Sequence, residues 1–213
     1  MQQKVRVYIE TGEKRVFASA ADWPGWCRPG KTEAAALDAL KAYAQRYARV
    51  ATLARVASFP GDEPRFDVVE RVKGNGTTDY GAPAIPAQDE SKPMTAAESQ
   101  RMIALLQACW RYLDQVVEGA PQELRKGPRG GGRDRDQMYD HVIGAEAEYA
   151  KKIGVRQKPP DGRDKATVRA FRRTIVAGLE DPTPEATWPV PYLARRTAWH
   201  ALDHAWEIED RIT

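Results

Sequence analysis

Apolar and polar residues alternate at the start of the chain. Val5, Val7 and Ile9 are separated by polar or amphipathic neighbours, and this period of two residues is typical of a half-buried strand. Residues 11–14 have the composition of a turn, and a second apolar run follows over 15–20. The pattern therefore predicts a β-hairpin.

The spacing changes to that of a helix after a loop. Two Pro-Gly pairs over 22–30 predict a loop, and Thr32 is placed to cap an alanine-rich helix that runs to about Leu53. A last apolar alternation predicts a strand over about 65–73. A hairpin, a helix and a strand predict an α+β domain over 1–80.

A proline-rich segment follows this unit. Residues 81–93 contain three prolines and no apolar period, so they are predicted to form a linker between two domains. After it, apolar residues recur at helical spacing in four segments. These predicted helices begin near Thr95, Asp134, Lys165 and Pro189. A glycine-rich basic loop over 127–133 separates the first two, and the whole pattern predicts an all-α four-helix bundle over 94–213.

Composition and net charge indicate the class of protein to which the chain belongs. The chain of 213 residues is 42% apolar and 30% charged, with a net charge of +3, which is typical of a globular protein and gives no reason to expect a nucleic-acid partner. The start of the chain lacks an apolar signal segment, and no run approaches the roughly 18 apolar residues of a membrane span. The two cysteines lie in unrelated segments. We therefore expect a cytoplasmic protein without a membrane partner.

The chain has three histidines, and all of them fall in predicted helices. His200 and His204 are four residues apart, which places them one turn apart on one helix face, at roughly 5–6 Å between Cβ atoms. His141 lies on another helix. If the two helices pack together, all three imidazoles converge. Spacing alone leaves two interpretations open, a metal site and a set of hydrogen-bonded core histidines.

A metal centre of this kind would be open. Three imidazoles with a fourth position left to water are typical of catalytic sites, whereas structural zinc sites have four protein ligands. Imidazole suits Zn, Ni, Cu or Fe, so ligand type alone does not select the metal. Glu207, about one turn after His204, is a candidate for a general base or a partner of a ligand, and a solvated glutamate is the alternative. No other catalytic residue is assigned.

The first third of the chain resembles HicB-like domains. The resemblance rests on Asp-Trp-Pro-Gly-Trp-Cys over 22–27 and on the glycine, threonine and alanine-rich run over 30–40. An additional tryptophan, Trp26, departs from the family pattern. HicB proteins are antitoxins whose domain binds a toxin. The resemblance thus implies a module for binding a partner, or a scaffold used for docking or dimerisation.

The rest of the chain resembles the DinB/YfiT-like superfamily. The resemblance covers about residues 94–213 and rests on Asp-Gln-Met-Tyr-Asp-His over 136–141 and Trp-His-x-x-x-His-x-x-Glu over 199–207. It implies that His141, His200 and His204 hold a divalent metal, commonly Zn or Ni, with water completing the shell. It also implies a homodimer and, in members of known activity, S-transfer or isomerisation with low-molecular-weight thiols.

Three functional hypotheses follow. The leading one is a metal-dependent enzyme, a thiol S-transferase or a hydrolase, that acts on a low-molecular-weight thiol or water and a small electrophile. The rival is a non-enzymatic interaction protein in which the HicB-like module binds a partner. In the third, the metal only stabilises the fold. The sequence leaves the substrate, the reaction and the metal open.

Overall fold

Four strands form a single sheet in the first part of the chain. The computed structural model describes residues 4–127 and 131–212. The strands are β1 (Val5–Thr11), β2 (Val16–Ala20), β3 (Cys27–Gly30) and β4 (Phe66–Lys73), in the order β3-β2-β1-β4. Two helices lie between β3 and β4 along the chain and the other helices follow β4, so the protein is of mixed α/β class.

The predicted hairpin and the predicted later strand are confirmed. Strands β1 and β2 are antiparallel, with Val7 opposite Ala20, and β4 lies parallel to β1 on its other side. The prediction of a loop over the whole of 22–30 was wrong, because its last four residues form β3. Strand β3 lies at the edge of the sheet, and Pro29 pairs there with Phe17 of β2. An edge strand tolerates proline because the nitrogen, which cannot donate a hydrogen bond, can face away from the sheet.

Two helices replace the single one predicted after Thr32. They are α1 (Glu33–Ala42) and α2 (Ala44–Ala54). The threonine side chain accepts from Ala35 N at 3.2 Å, which confirms it as the N-cap. The break falls at Tyr43, whose ring packs against Trp206 at 4.9 Å between centroids.

The connection to the later helices is partly ordered. A five-residue helix, α3 (Gly76–Tyr80), is capped by Asn75 and is too short to give a periodic signal. The segment 81–93, predicted as a linker, contains a 3-10 helix over Gln88–Ser91. Its Glu90 is buried and pairs with Arg195. The division into two domains at this segment stays a prediction.

Four longer helices lie where the apolar pattern predicts them. They are α4 (Ala96–Gly119), α5 (Arg135–Ala150), α6 (Lys165–Glu180) and α7 (Val190–Asp210). The predicted capping box is present, since the Thr95 and Glu98 side chains each bond the backbone N–H of the other. The centre of the predicted basic loop, residues 128–130, lies outside the described residues.

The sheet and the helices share a hydrophobic core. Helix α7 packs along α4 and also against α5, while α2 packs on α4. One cluster of buried side chains includes Val7 and Ile9 of the sheet, Leu40 of α1, Leu106 of α4 and Leu202 of α7. This packing brings α5 and α7, which carry the histidines, into contact.

None of the helices in the described part of the chain has the combination of length and apolar character needed to cross a membrane.

Candidate metal centre

The three histidines converge, as predicted for the case in which the two helices that carry them pack together. One ring nitrogen from each of His141, His200 and His204 lies within 4.8 Å of the others. The ring centroid of His141 lies 5.0 Å from that of His200 and 5.0 Å from that of His204. The centroids of His200 and His204 are 4.7 Å apart. Three nitrogens at these separations can hold one metal ion.

His200 lies on the buried, inner side of the centre, and His141 and His204 lie nearer to the surface. His200 is 7% exposed, whereas His141 and His204 are half-buried. Nδ1 of His200 is buried and has no hydrogen-bond partner. Buried imidazole nitrogens ordinarily have a partner, so an orphaned one fits a ligand that takes up its lone pair.

Electrostatics keep two of the rings neutral. Burial, followed by the nearby His204 and Arg133, lowers the pKa of His141 to about 4. Burial also lowers the pKa of His200 well below its usual value, with further contributions from the other two histidines. Both imidazoles are therefore neutral at neutral pH, which is the state in which histidine binds a metal.

Glu207 contacts one of the candidate ligands. Its Oε2 lies 3.0 Å from Nδ1 of His204, and its Oε1 accepts from Arg211 at 2.9 Å. The hydrogen bond to His204, together with Arg211, lowers the pKa of the Glu207 carboxyl. A carboxylate that is weakly basic and already engaged on both oxygens is better placed to orient His204, leaving its Nε2 for a metal, than to act as a general base.

Aromatic rings enclose the inner side of the centre. The rings of Tyr149 and Trp199 each lie 5.9 Å from that of His200. Arg196 lies over the same two rings. Sequence reasoning missed this arginine, although it precedes His200 by four residues and so stands one helical turn before it.

Other residues near the histidines in sequence lie away from the centre. Asp203 binds Arg28 at 2.8 Å, and Asp140 accepts from the Gly162 amide at 3.1 Å. The Cys109 thiol is buried on α4 and points to the Pro24 carbonyl. Within residues 4–127 and 131–212, no fourth His, Cys, Asp or Glu joins the three histidines.

A separate cavity of about 330 Å³ lies between the sheet and the helices. Arg6, Tyr8, Arg101 and Arg195 line it together with acidic residues of 89–98, and the histidines do not. Its cationic and anionic side chains are balanced in number, so its charge favours no class of ligand.

No family model, no curated protein and no solved structure matches this chain. The resemblances to HicB-like and DinB-like proteins therefore stay predictions.

Proposed function

We propose that this protein is a metal-dependent enzyme of the DinB-like type, with one divalent ion held by His141, His200 and His204. The convergence of every histidine of the chain within 4.8 Å carries the proposal. Support also comes from the orphaned Nδ1 of His200 and from the contact between His204 and Glu207.

The proposal includes a DinB-like bundle over 94–213. The packing of α7 against α4 and α5 supports this arrangement, because a bundle places ligands from facing helices in its core. Zn or Ni is the proposed metal, since imidazole suits both. A homodimer and a cytoplasmic location belong to the same proposal, and the two cysteines are free thiols, as a reducing compartment requires.

The reaction class is S-transfer from a thiol, or hydrolysis. A bound divalent metal would lower the pKa of a thiol or water and polarise an electrophile. The three histidines would hold it, Glu207 would fix the ring of His204, and the rings of Tyr149 and Trp199 would exclude solvent from the inner side. In S-transfer the thiol loses its proton to water, a carbon–sulfur bond forms, and the leaving group departs with the bonding electron pair.

Elemental analysis of protein purified without added metal and without a histidine tag tests the site. We expect about one Zn or Ni per chain, and its loss in His200→Ala. Asp140→Asn is the matched control, because it removes a charge next to His141 without touching the three rings. Wild-type protein that takes up no metal on titration would overturn the proposal.

Turnover tests separate the enzymatic role from a structural one. Metal-loaded protein is assayed with β-mercaptoethanol and chlorodinitrobenzene for S-transfer, and with p-nitrophenyl acetate for hydrolysis. We expect one of the two activities, and its loss in His200→Ala. Metal-loaded protein without turnover, whose melting temperature falls sharply on chelation, would indicate a metal that only stabilises the fold.

A further inference from the structure

Another cavity, of about 350 Å³, lies beyond the end of α5 and is lined mainly by cations. The residues around it are Lys151, Arg156, Gln157, Lys158 and Pro159. Three of these five carry a positive charge and none carries a negative one, so we call it the cationic cavity. None of the three histidines lines it, and it is therefore separate from the candidate metal centre.

The positive charge of the cationic cavity is only partly balanced by the chain itself. Lys151 pairs with Glu148 at 2.6 Å. In the described part of the chain, the side chains of Arg156 and Lys158 form neither an ion pair nor a hydrogen bond, and both residues are exposed. Unpaired charges of one sign around a concave surface raise the local potential and concentrate ions of the opposite sign. The cavity therefore attracts anions.

The segment that carries these cations is fixed to the rest of the protein. Ile153 is 1% exposed, and the amide of Thr187 donates to the Lys152 carbonyl at 2.8 Å. Val155 packs so closely on α6 that a Cβ atom built on Gly178 would lie 2.5 Å from its Cγ2 atom. The backbone is thus held before any ligand arrives, which lowers the conformational entropy lost on binding.

Gln157 adds an uncharged donor to the cationic cavity. Its side-chain amide contacts the Thr174 hydroxyl of α6 at 3.2 Å, which anchors the side chain. A glutamine amide has two N–H donors, so at least one of them stays available to the cavity whichever way the amide is turned. Guanidinium, ammonium and amide donors together are suited to the several oxygens of a phosphate group.

The extent of the positive region favours a compact anion. Residues 149–160 contain four cations and no acid, but Glu148 precedes them and Asp161 follows them. Asp161 pairs with Arg163 at 2.6 Å. An extended polyanion such as a nucleic acid would meet these carboxylates, whereas a small anion inside the cavity would not. The volume lies at the lower end of the range of about 300–1,000 Å³ that is typical of small-molecule sites.

We propose that the cationic cavity binds the phosphate group of a small molecule through Arg156 and Lys158. A phosphate monoester carries about −1.5 to −2 charges at pH 7 on one group, which matches two cations on one cavity. The planar donors of a guanidinium and the point charge of an ammonium both bind phosphate oxygens. This inference goes beyond the proposed function and does not rest on it, because no histidine takes part.

Isothermal titration calorimetry of the full chain with inorganic pyrophosphate tests the site. At low salt we expect saturable binding by wild-type protein, and the affinity should fall as salt is raised, because an open site is screened. The double variant Arg156→Gln/Lys158→Gln should bind roughly 10-fold or more weakly, since charge-assisted hydrogen bonds are lost. The variant keeps all three histidines, so this loss cannot come from the metal centre.

Arg65→Gln/Lys73→Gln is the matched control. It removes the same two charges from exposed positions at the two ends of β4 and should bind pyrophosphate as wild-type protein does. His200→Ala should also bind it normally, which separates this inference from the proposed function. Normal binding by His200→Ala would support the cavity even if the protein held no metal.

Absence of pyrophosphate binding by wild-type protein at low salt would overturn the inference. Equal weakening in the control and in Arg156→Gln/Lys158→Gln would do the same, because net charge and not the cavity would then determine affinity. Loss of binding in His200→Ala would place the anion at the histidines instead. A single-stranded oligonucleotide that displaces pyrophosphate and binds more tightly would assign the surface to nucleic acid and overturn the small-molecule site.

Discussion

The carboxylate of Glu207 lies 3.0 Å from Nδ1 of His204, one turn earlier on the same helix. A hydrogen bond to one ring nitrogen fixes the orientation and the tautomer of an imidazole. Arg211 holds the other carboxylate oxygen, so the carboxylate is itself restrained. The last two turns of α7 therefore orient one candidate ligand before any metal arrives.

Replacement of Glu207 should weaken metal binding without abolishing it. We expect Glu207→Ala to lower zinc affinity by roughly 10- to 100-fold, because partners of metal ligands have effects of that size. Glu207→Gln retains an oxygen that accepts from Nδ1–H of His204, so its zinc affinity should lie between those of Glu207→Ala and wild-type protein. Competition titration with a chromophoric zinc chelator measures the affinities.

Glu209→Gln is the matched control for this prediction. Its carboxylate stands two residues further along α7 and bonds the Tyr112 hydroxyl at 2.9 Å. Zinc affinity should be unchanged in this variant. An affinity of Glu207→Ala equal to that of wild-type protein would show that His204 needs no orienting partner.

The convergence of the histidines was predictable from their spacing. Helical spacing fixes His200 and His204 on one face, and amphipathic patterns place that face and His141 towards a common core. The capping residues Thr32 and Thr95 were recognisable for the same reason, since a cap is a local feature. Local periodicity therefore accounts for the four long helices and for the shared face of His200 and His204, whereas the approach of His141 depends on the packing of α5 against α7.

What could not be predicted depends on contacts distant in sequence. Strand β3 contains Pro29 and is a strand only because β2 lies beside it. The ion pair of Glu90 with Arg195 joins residues far apart along the chain, and so does the contact of Arg196 with Pro83. No short-range pattern shows which partner a buried arginine takes.

The ion pair between Glu90 and Arg195 should contribute strongly to stability. Both side chains are 5% exposed, so Glu90→Ala leaves a buried guanidinium without its counter-charge. We expect a loss of about 3–5 kcal/mol in the free energy of unfolding. Urea denaturation followed by circular dichroism measures it.

Asp89→Ala breaks more exposed ion pairs and is therefore the control for the effect of burial on the stability loss. Asp89 also pairs with cations, Arg6 and Lys92, but these pairs are more exposed. Surface pairs contribute little, so we expect a loss of roughly 1 kcal/mol or less. Similar losses in the two variants would mean that burial does not determine the strength of these pairs.

Both cysteines should be unreactive in the folded protein. Burial raises the pKa of Cys27 to about 12, and it raises the pKa of Cys109 as well. Only the thiolate reacts, and with a pKa near 12 roughly one Cys27 thiol in ten thousand is ionised at pH 8. Ellman's reagent should therefore detect no thiol in native protein and two in urea. Rapid labelling of native protein would show that one thiol is accessible.

Gly144→Ala should stabilise the protein. Glycine inside a helix costs about 0.5–1 kcal/mol relative to alanine, and at this position on α5 an added Cβ meets no atom within 4 Å. The free energy of unfolding should rise by that amount, with metal content unchanged. Gly178→Ala on α6 is the matched control, because its Cβ would lie 2.5 Å from Val155 Cγ2. Crowding there should outweigh the gain in helix propensity and destabilise the protein by about 1 kcal/mol or more. If Gly144→Ala were also destabilising, the space beside His141 would be filled in solution.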